Sequence, residues 1–434
     1  MRLFGIITLF VFTISSFAQN PEKNWKKYST PEEAGFSSKK LEAVTVLCDS
    51  INKTALFVVY KGNVLISYGE YSRRFYCASV RKSFTSALYG IYSGEGVIDI
   101  SKTLGELSIT DKIELTAQEK TATVEDLLKS RSGVYLPAIG ETKSMKENRP
   151  KRGSHKPNTF FYYNNWDFNV LGTILKQETK QDITQAFYEK IAKPLQMEDY
   201  RIFDGLIWHD NITNTMHSKY DFKLSARDMA RFGLLYLNNG KWNNKNIISE
   251  EWIKKSFIPY SNSNEGGYGY LWWINKINDN LTSYSARGWG GHVISIIPEI
   301  DLVFVMRNDT YFGKGGEWFD YELIRLIAAA KVSKTKINPK LITMKQINKV
   351  TPEIQLTNHE YKKYEQKVKL NGRNYSIKYT SNGLMIDDWH KLVPITKNKF
   401  FIEDLNYYIY FKGVESKYLF DRVEKTTANN VYKK

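Results

Sequence analysis

Two hairpin patterns stand near opposite ends of the first 330 residues, and the chain between them is largely helical in pattern. In the first, the apolar run Ala55 to Tyr60 leads through Lys61-Gly62-Asn63 into Val64 to Tyr68. In the second, Val293 to Ile297 leads through Pro298-Glu299-Ile300-Asp301 into Leu302 to Met306. Short apolar runs punctuated by Gly, Pro, Asn or Asp mark antiparallel strands. Helical patterns accompany them. Leu41, Val44 and Cys48 recur at helical spacing behind a Ser37 or Ser38 cap, residues 80–94 predict a helix ending near Gly96, and Glu317 to Lys331 is amphipathic. Thr123-Val124-Glu125-Asp126-Leu127-Leu128 has a helix-start pattern, and Arg227 to Gly233 opens another helix after Ser225. The expected fold class is α/β (α+β): an antiparallel sheet flanked by helices, with an inserted helical lobe at about 100–180.

The composition shifts after this region. Lys331 to Pro352 carries six Lys and no Asp or Glu, so residues 336–352 read as a basic linker. Beyond it, Asn371-Gly372 and Asn382-Gly383 are hairpin turn signals between runs such as Tyr375 to Tyr379 and Leu384 to Ile386. Tyr407 to Phe411 and Tyr418 to Phe420 continue the pattern, which predicts a small, separable all-β domain over 353–434. At the other end, residues 1–18 read as a signal peptide: Arg2, an apolar run from Leu3 to Ile14, and Ser16-Phe17-Ala18 before Gln19. The run is too short to span a bilayer, and a retained membrane anchor is the alternative. The expectation is a periplasmic or secreted protein whose main domain covers 19–335.

Hydrophobic content of 42% and charged content of 25% fit a globular chain. The formal charge of +16 reads as a Lys-rich solvated surface, with attraction to acidic envelope polymers left open. No block of five basic residues occurs and no nucleic-acid motif is found, so a nucleic-acid partner is not expected. Cys48 and Cys77 are the sole cysteines, which excludes a disulfide framework and leaves one bridge open. No metal-ligand spacing appears among two Cys and six His, so no metal or organic cofactor is expected.

Three signatures carry chemistry. Ser79 and Lys82, in Ala78-Ser79-Val80-Arg81-Lys82-Ser83-Phe84, are three residues apart and would share one face of a helix. A serine hydroxyl needs such a neighbouring base to become a nucleophile, and helix amides near Ser79 could stabilise an oxyanion. Tyr163-Asn164-Asn165 is a Tyr-x-Asn; Tyr162-Tyr163-Asn164 offers another register, and Tyr163 is preferred. A phenol beside a cation can move protons, and Asn165 can orient a carbonyl. In Ala286-Arg287-Gly288-Trp289-Gly290-Gly291 the glycines permit close backbone approach to an acyl group. A short Ser132-Gly133 lies between the first two signatures, and His292 reads as a structural histidine.

These motifs, in this order, resemble the serine β-lactamase and penicillin-binding-protein superfamily, especially its class C-like esterase and 6-aminohexanoate-dimer-hydrolase-like branch. The resemblance covers residues 30 to 330 and implies a β-lactamase/transpeptidase-like fold. It implies an acyl-enzyme on Ser79, with Lys82 and Tyr163 as general base and acid. Asn165, Arg287, Gly288 and Trp289 would meet the substrate, the Trp289 N–H as an oxyanion donor. The family pattern has Lys-Thr-Gly where this chain has Ala286-Arg287-Gly288. That departure favours a small ester or amide substrate. The alternatives are a β-lactamase or a peptidoglycan DD-peptidase acting on a cell-wall peptide, with Arg287 reading a carboxylate, and a non-catalytic binding protein that keeps the fold. No stable protein partner is implied.

Overall fold

The computed structural model describes residues 20–425 apart from 52, 264–265, 312–315, 345–351, 371–372, 388, 403 and 406. The leader 1–18 and the Asn371-Gly372 turn lie outside the described residues. The two hairpins sit side by side in one ten-stranded sheet. Ala55–Tyr60 pairs antiparallel with Asn63–Gly69 on one side and with Leu302–Arg307 on the other. The sheet continues through His292–Ile297, Leu281–Gly288, Trp273–Asn278, Gly266–Tyr268 and Ser261–Ser263, antiparallel throughout. At the opposite edge Lys26–Tyr28 joins Asn63–Gly69 in parallel. Leu341–Thr343 then pairs with Lys26–Tyr28, so this part of the basic stretch is built into the sheet instead of spanning free.

Both faces of the central strands are covered, which is why they read as unbroken apolar runs rather than alternating ones. Leu56, Val58, Phe304 and Met306 point into one core, under the helices Ser38–Ser50 and Asp320–Ala329. Phe57, Val59, Val303 and Val305 point into the other, with the helices Arg81–Gly94 and Ala226–Leu237 and the lobe. Each such side chain contributes about 1.5–3 kcal/mol through burial. Phe304→Ala, at a position with no exposed surface, would cost about 3–5 kcal/mol. Local signals set the helix starts. Ser37, not Ser38, caps the first helix through the Lys40 N–H, Thr123 and Asp126 form a capping box, and Ser225 caps Ala226–Leu237.

The C-terminal region forms a separate seven-stranded antiparallel meander from Gln366–Leu370 to Lys417–Lys425. Its ends approach each other: Gln366 Nε2 donates to the Tyr418 carbonyl at 2.8 Å, and the Phe420 N–H donates to Gln366 Oε1 at 2.9 Å. The result is barrel-like, around Tyr364, Val368, Leu384, Phe400 and Ile409. It is docked rather than tethered. Lys223 of the main domain, 3% exposed, donates to Asp404 Oδ2 at 3.1 Å and to the Trp389 carbonyl.

Candidate active site

The strand Phe75–Tyr76 pairs with Leu224 and Lys223 and delivers the chain to a tight turn. Ala78 takes a left-handed φ of 49°, a 3-10 turn spans Ala78–Val80, and the helix Arg81–Gly94 follows. Lys82 therefore stands one turn after Ser79. Its Nζ donates to Ser79 Oγ at 2.7 Å and to Tyr163 Oη at 2.8 Å. The side chain is 3% exposed, and the Tyr163 and Phe168 rings each lie 4.4 Å from Nζ. Burial, reinforced by the charges of Arg81 and Lys219, pushes Lys82 well below the ordinary lysine range. A neutral amine at this distance is able to take a hydroxyl proton.

The lobe places Tyr163 by a strap. Ser132 Oγ donates to Asp167 at 2.6 Å, Ser130 Oγ donates to the Tyr162 carbonyl at 2.8 Å, and the Asn164 N–H donates to Ser130 Oγ at 3.1 Å. Gly133 must be glycine: its φ is 71°, and a Cβ there would meet the His155 carbonyl oxygen at 2.8 Å. Ser130 thus holds the Tyr-x-Asn segment directly, and Ser132 holds it through Asp167, which also accepts from Asn164 Nδ2 at 3.0 Å. Side chains alternate along that extended segment. Tyr162 Oη turns away to the Met145 carbonyl at 2.6 Å, and Asn164 turns inward to cap the helix Asn165–Thr179. Tyr163 and Asn165 line the cleft, so the preferred register is the one that meets Lys82. Asn165 Nδ2 donates to the Gly140 carbonyl at 2.7 Å, while its buried Oδ1 has no partner.

The opposite wall is the end of the strand Leu281–Gly288 and the turn after it. A Cβ on Gly288 would lie 2.5 Å from the Cys77 carbonyl oxygen and 3.1 Å from the Ser79 nitrogen. Only glycine lets this strand touch the nucleophile turn. Ala286 is 1% exposed and packs in the core. Arg287 does reach the cleft, but its guanidinium is engaged by Asp320 at 3.0 Å and Tyr321 Oη at 2.8 Å and lies 4.4 Å from the Trp318 ring. Trp289 is 56% exposed at the rim. His292 is a structural histidine, fully buried against Arg307 and Thr310 and held far below its ordinary range by burial and the Arg307 charge.

The cleft measures about 1030 Å³ and contains residues that the motifs did not single out. Tyr76, Lys219 and Trp318 line it. Lys219 Nζ bonds the buried Asp221 and donates to Tyr76 Oη at 3.1 Å; Asp221 also lies 3.7 Å from Arg81. The only sequence signal was Lys219-x-Asp221, two charges on one face of a strand. Cys48 and Cys77 are both buried and unbridged, and burial pushes each thiol up to about 12, which leaves Cys77 inert beside Ser79.

The chain is similar to several known proteins. Protein flp of Staphylococcus aureus (strain MW2) is 29% identical over 131 residues, covering 28% of this chain and 26% of its own length. The chain thus spans about a quarter of the curated relatives it matches. The octameric penicillin-binding protein homologue of Pyrococcus abyssi has the same fold with a TM-score of 0.51, 18% identity, and coverage of 89% of this chain and 98% of its own. A Bacillus anthracis protein provisionally assigned as a 6-aminohexanoate-dimer hydrolase superposes with a TM-score of 0.51, 19% identity, and coverage of 72% and 90%. Residues 54–323, more than half of the chain, match the sequence model of the Beta-lactamase family, and the chain belongs to that family.

Proposed function

We propose that this chain hydrolyses an ester or a small amide through an acyl-enzyme on Ser79. The observation that carries the reading is the buried Lys82 amine, within 2.8 Å of both Ser79 Oγ and Tyr163 Oη. Neutral Lys82 takes the Ser79 proton as Oγ attacks the carbonyl carbon. The backbone N–H groups of Ser79 and Trp289 receive the oxyanion, and the Asn165 amide orients the acyl side. Lys82 and Tyr163 return a proton to the leaving oxygen or nitrogen, and water then repeats the sequence to release the acid.

Two features support a substrate without a carboxylate beside the scissile bond. Ala286 offers no cation, and Arg287 is already paired with Asp320. An unpaired anion in a partly dry cleft is costly. The β-lactamase or DD-peptidase reading keeps one observation in its favour, since Arg287 still lines the cleft. The leader pattern at 1–18 supports a periplasmic or secreted location. The test is a fluorophosphonate probe followed by peptide mass spectrometry. The adduct is expected on Ser79 and absent in Ser79→Ala; an adduct on Cys77, or unchanged turnover in Ser79→Ala, sinks the reading. Short-chain p-nitrophenyl esters should outpace nitrocefin, and the reverse order would favour the β-lactamase alternative.

A further inference from the structure

The geometry points to the C-terminal β domain as a working part of the catalytic site: its Trp389–His390 segment holds Tyr76 and, through Tyr76, keeps Lys219 in the cleft that Lys82 also lines. The inference rests on the reading of Lys82 as the base for Ser79.

The contacts run without a break from one domain to the other. The Trp389 ring lies edge-on to the Tyr76 ring at 5.8 Å and stacks on Trp208 at 5.3 Å. The Trp389 carbonyl accepts from Lys223, the residue that pairs with Tyr76 in the adjoining strand. His390 Nδ1 is 2.7 Å from Asp404 Oδ2, and its ring lies edge-on to Tyr311 at 5.2 Å. Tyr311 Oη in turn accepts the Tyr76 N–H at 3.1 Å. Arg73 Nε donates to the Asp404 carbonyl at 2.7 Å. The β domain thus grips Arg73, Tyr76 and Lys223, just before the turn that carries Ser79.

Tyr76 passes that grip into the cleft. Its hydroxyl accepts from Lys219 Nζ at 3.1 Å, with the ammonium 5.2 Å from the ring. Tyr76 and Lys219 line the catalytic cleft on one side. On the other they line a cavity of about 280 Å³ whose walls include Trp389, His390 and Leu405 of the β domain. They form the partition between the two spaces. A lysine side chain has many rotamers, and here the phenol and the Asp221 carboxylate select one. Ser79 and Tyr163 bond the Lys82 amine, and the charges that act on it are Arg81 from its own segment and Lys219 and Asp221 from the strand Lys219–Leu224. Removing Lys219, or letting it swing to solvent, withdraws a positive charge from this set. Lys82 then holds its proton to higher pH.

The experiment measures the rate of fluorophosphonate labelling of Ser79 against pH in the full chain, with melting temperature and the kcat and KM of ester hydrolysis alongside. Lys219→Met should move the acid limb of the labelling profile to higher pH and lower the rate at neutral pH by about tenfold. Trp389→Ala should move the limb the same way and change kcat more than KM, and Trp389→Phe should recover part of the shift. If Trp389→Ala does not fold, Tyr76→Phe carries the test with a smaller shift in the same direction, because it removes the hydroxyl partner of Lys219 and leaves the Asp221 pair. An acid limb that stays put in the folded variants overturns the inference, whatever happens to melting temperature. Lys82→Ala separates the two levels. Its labelling should be lost; full labelling without Lys82 would overturn the base assignment and this inference with it, whereas loss there with Trp389→Ala and Lys219→Met unchanged overturns the inference alone.

Discussion

The two walls of the cleft are built on different principles. On the nucleophile side, Ser79, Lys82 and Tyr163 meet through side-chain atoms within 2.8 Å, so the proposed chemistry depends on each side chain. On the facing side, the Gly288 backbone lies against the Ser79 turn, and the side chains have other tasks: Ala286 packs in the core and Arg287 pairs with Asp320. Backbone amides can stabilise an oxyanion regardless of the side chains around them. A wall of this kind can lose its lysine and keep the reaction while altering which substrates are accepted. Under the proposed reaction, the first wall supplies the chemistry and the second the choice of substrate.

The largest expected effect lies on the nucleophile side. Tyr163→Phe should lower kcat by ~10² or more, as for loss of a positioned acid–base group. Combined with Lys82→Ala it should add far less than the sum of the single effects, because the two residues act as one unit. Additive effects, or greater damage from Tyr162→Phe, would break the comparison on that side. On the backbone wall, Gly288→Ala drives a methyl against the Cys77 carbonyl, and displacement of the Trp289 N–H should lower kcat by about tenfold or more. Normal turnover would show that this strand is not required at its present position.

Arg287→Ala should do less to catalysis. For a carboxylate-free ester, kcat/KM is expected to change by under about tenfold. Stability should fall by about 1–3 kcal/mol in denaturant unfolding, because Asp320, 1% exposed, loses its cation. Selective loss of nitrocefin turnover would instead assign Arg287 to carboxylate recognition.

The smallest effect concerns stability against pH. Lys82 has its folded pKa lowered, chiefly by burial. Between that value and about 10.4, the unfolded lysine holds a proton that the folded one lacks, so stability rises with pH across this window. Lys82→Met removes the penalty. It should be inactive yet melt higher than the parent at neutral pH, with the gain shrinking as pH approaches the ordinary lysine range. A constant or growing gain would show that Lys82 is not held neutral.

Much of the framework was legible in the chain. The hairpins at 55–68 and 293–306 carried strand periodicity and turn chemistry within a few residues, and both appear in the central sheet. Ser79 and Lys82 lie within one helical turn, where spacing alone predicts proximity. Tyr163 was harder, because Tyr162 offered an equal pattern and only the strap from Ser130 and Ser132 set which ring faces inward. The stretch at 336–352 read as a basic linker from its composition, which gave no sign that Leu341–Thr343 within it pairs with Lys26–Tyr28 at the sheet edge.

By itself the sequence determined the sheet, the inserted lobe and the serine–lysine pair, because each is encoded by neighbours along the chain or by motif order. Tertiary structure alone decided that Arg287 is neutralised by Asp320, that Lys219 stands in the cleft, and that the β domain reaches Tyr76 through Trp389. Those pairings join residues far apart in sequence. Charge and aromaticity along the chain show which residues can pair, but the partner is chosen by the packed fold, where burial makes an unmatched charge too costly to keep.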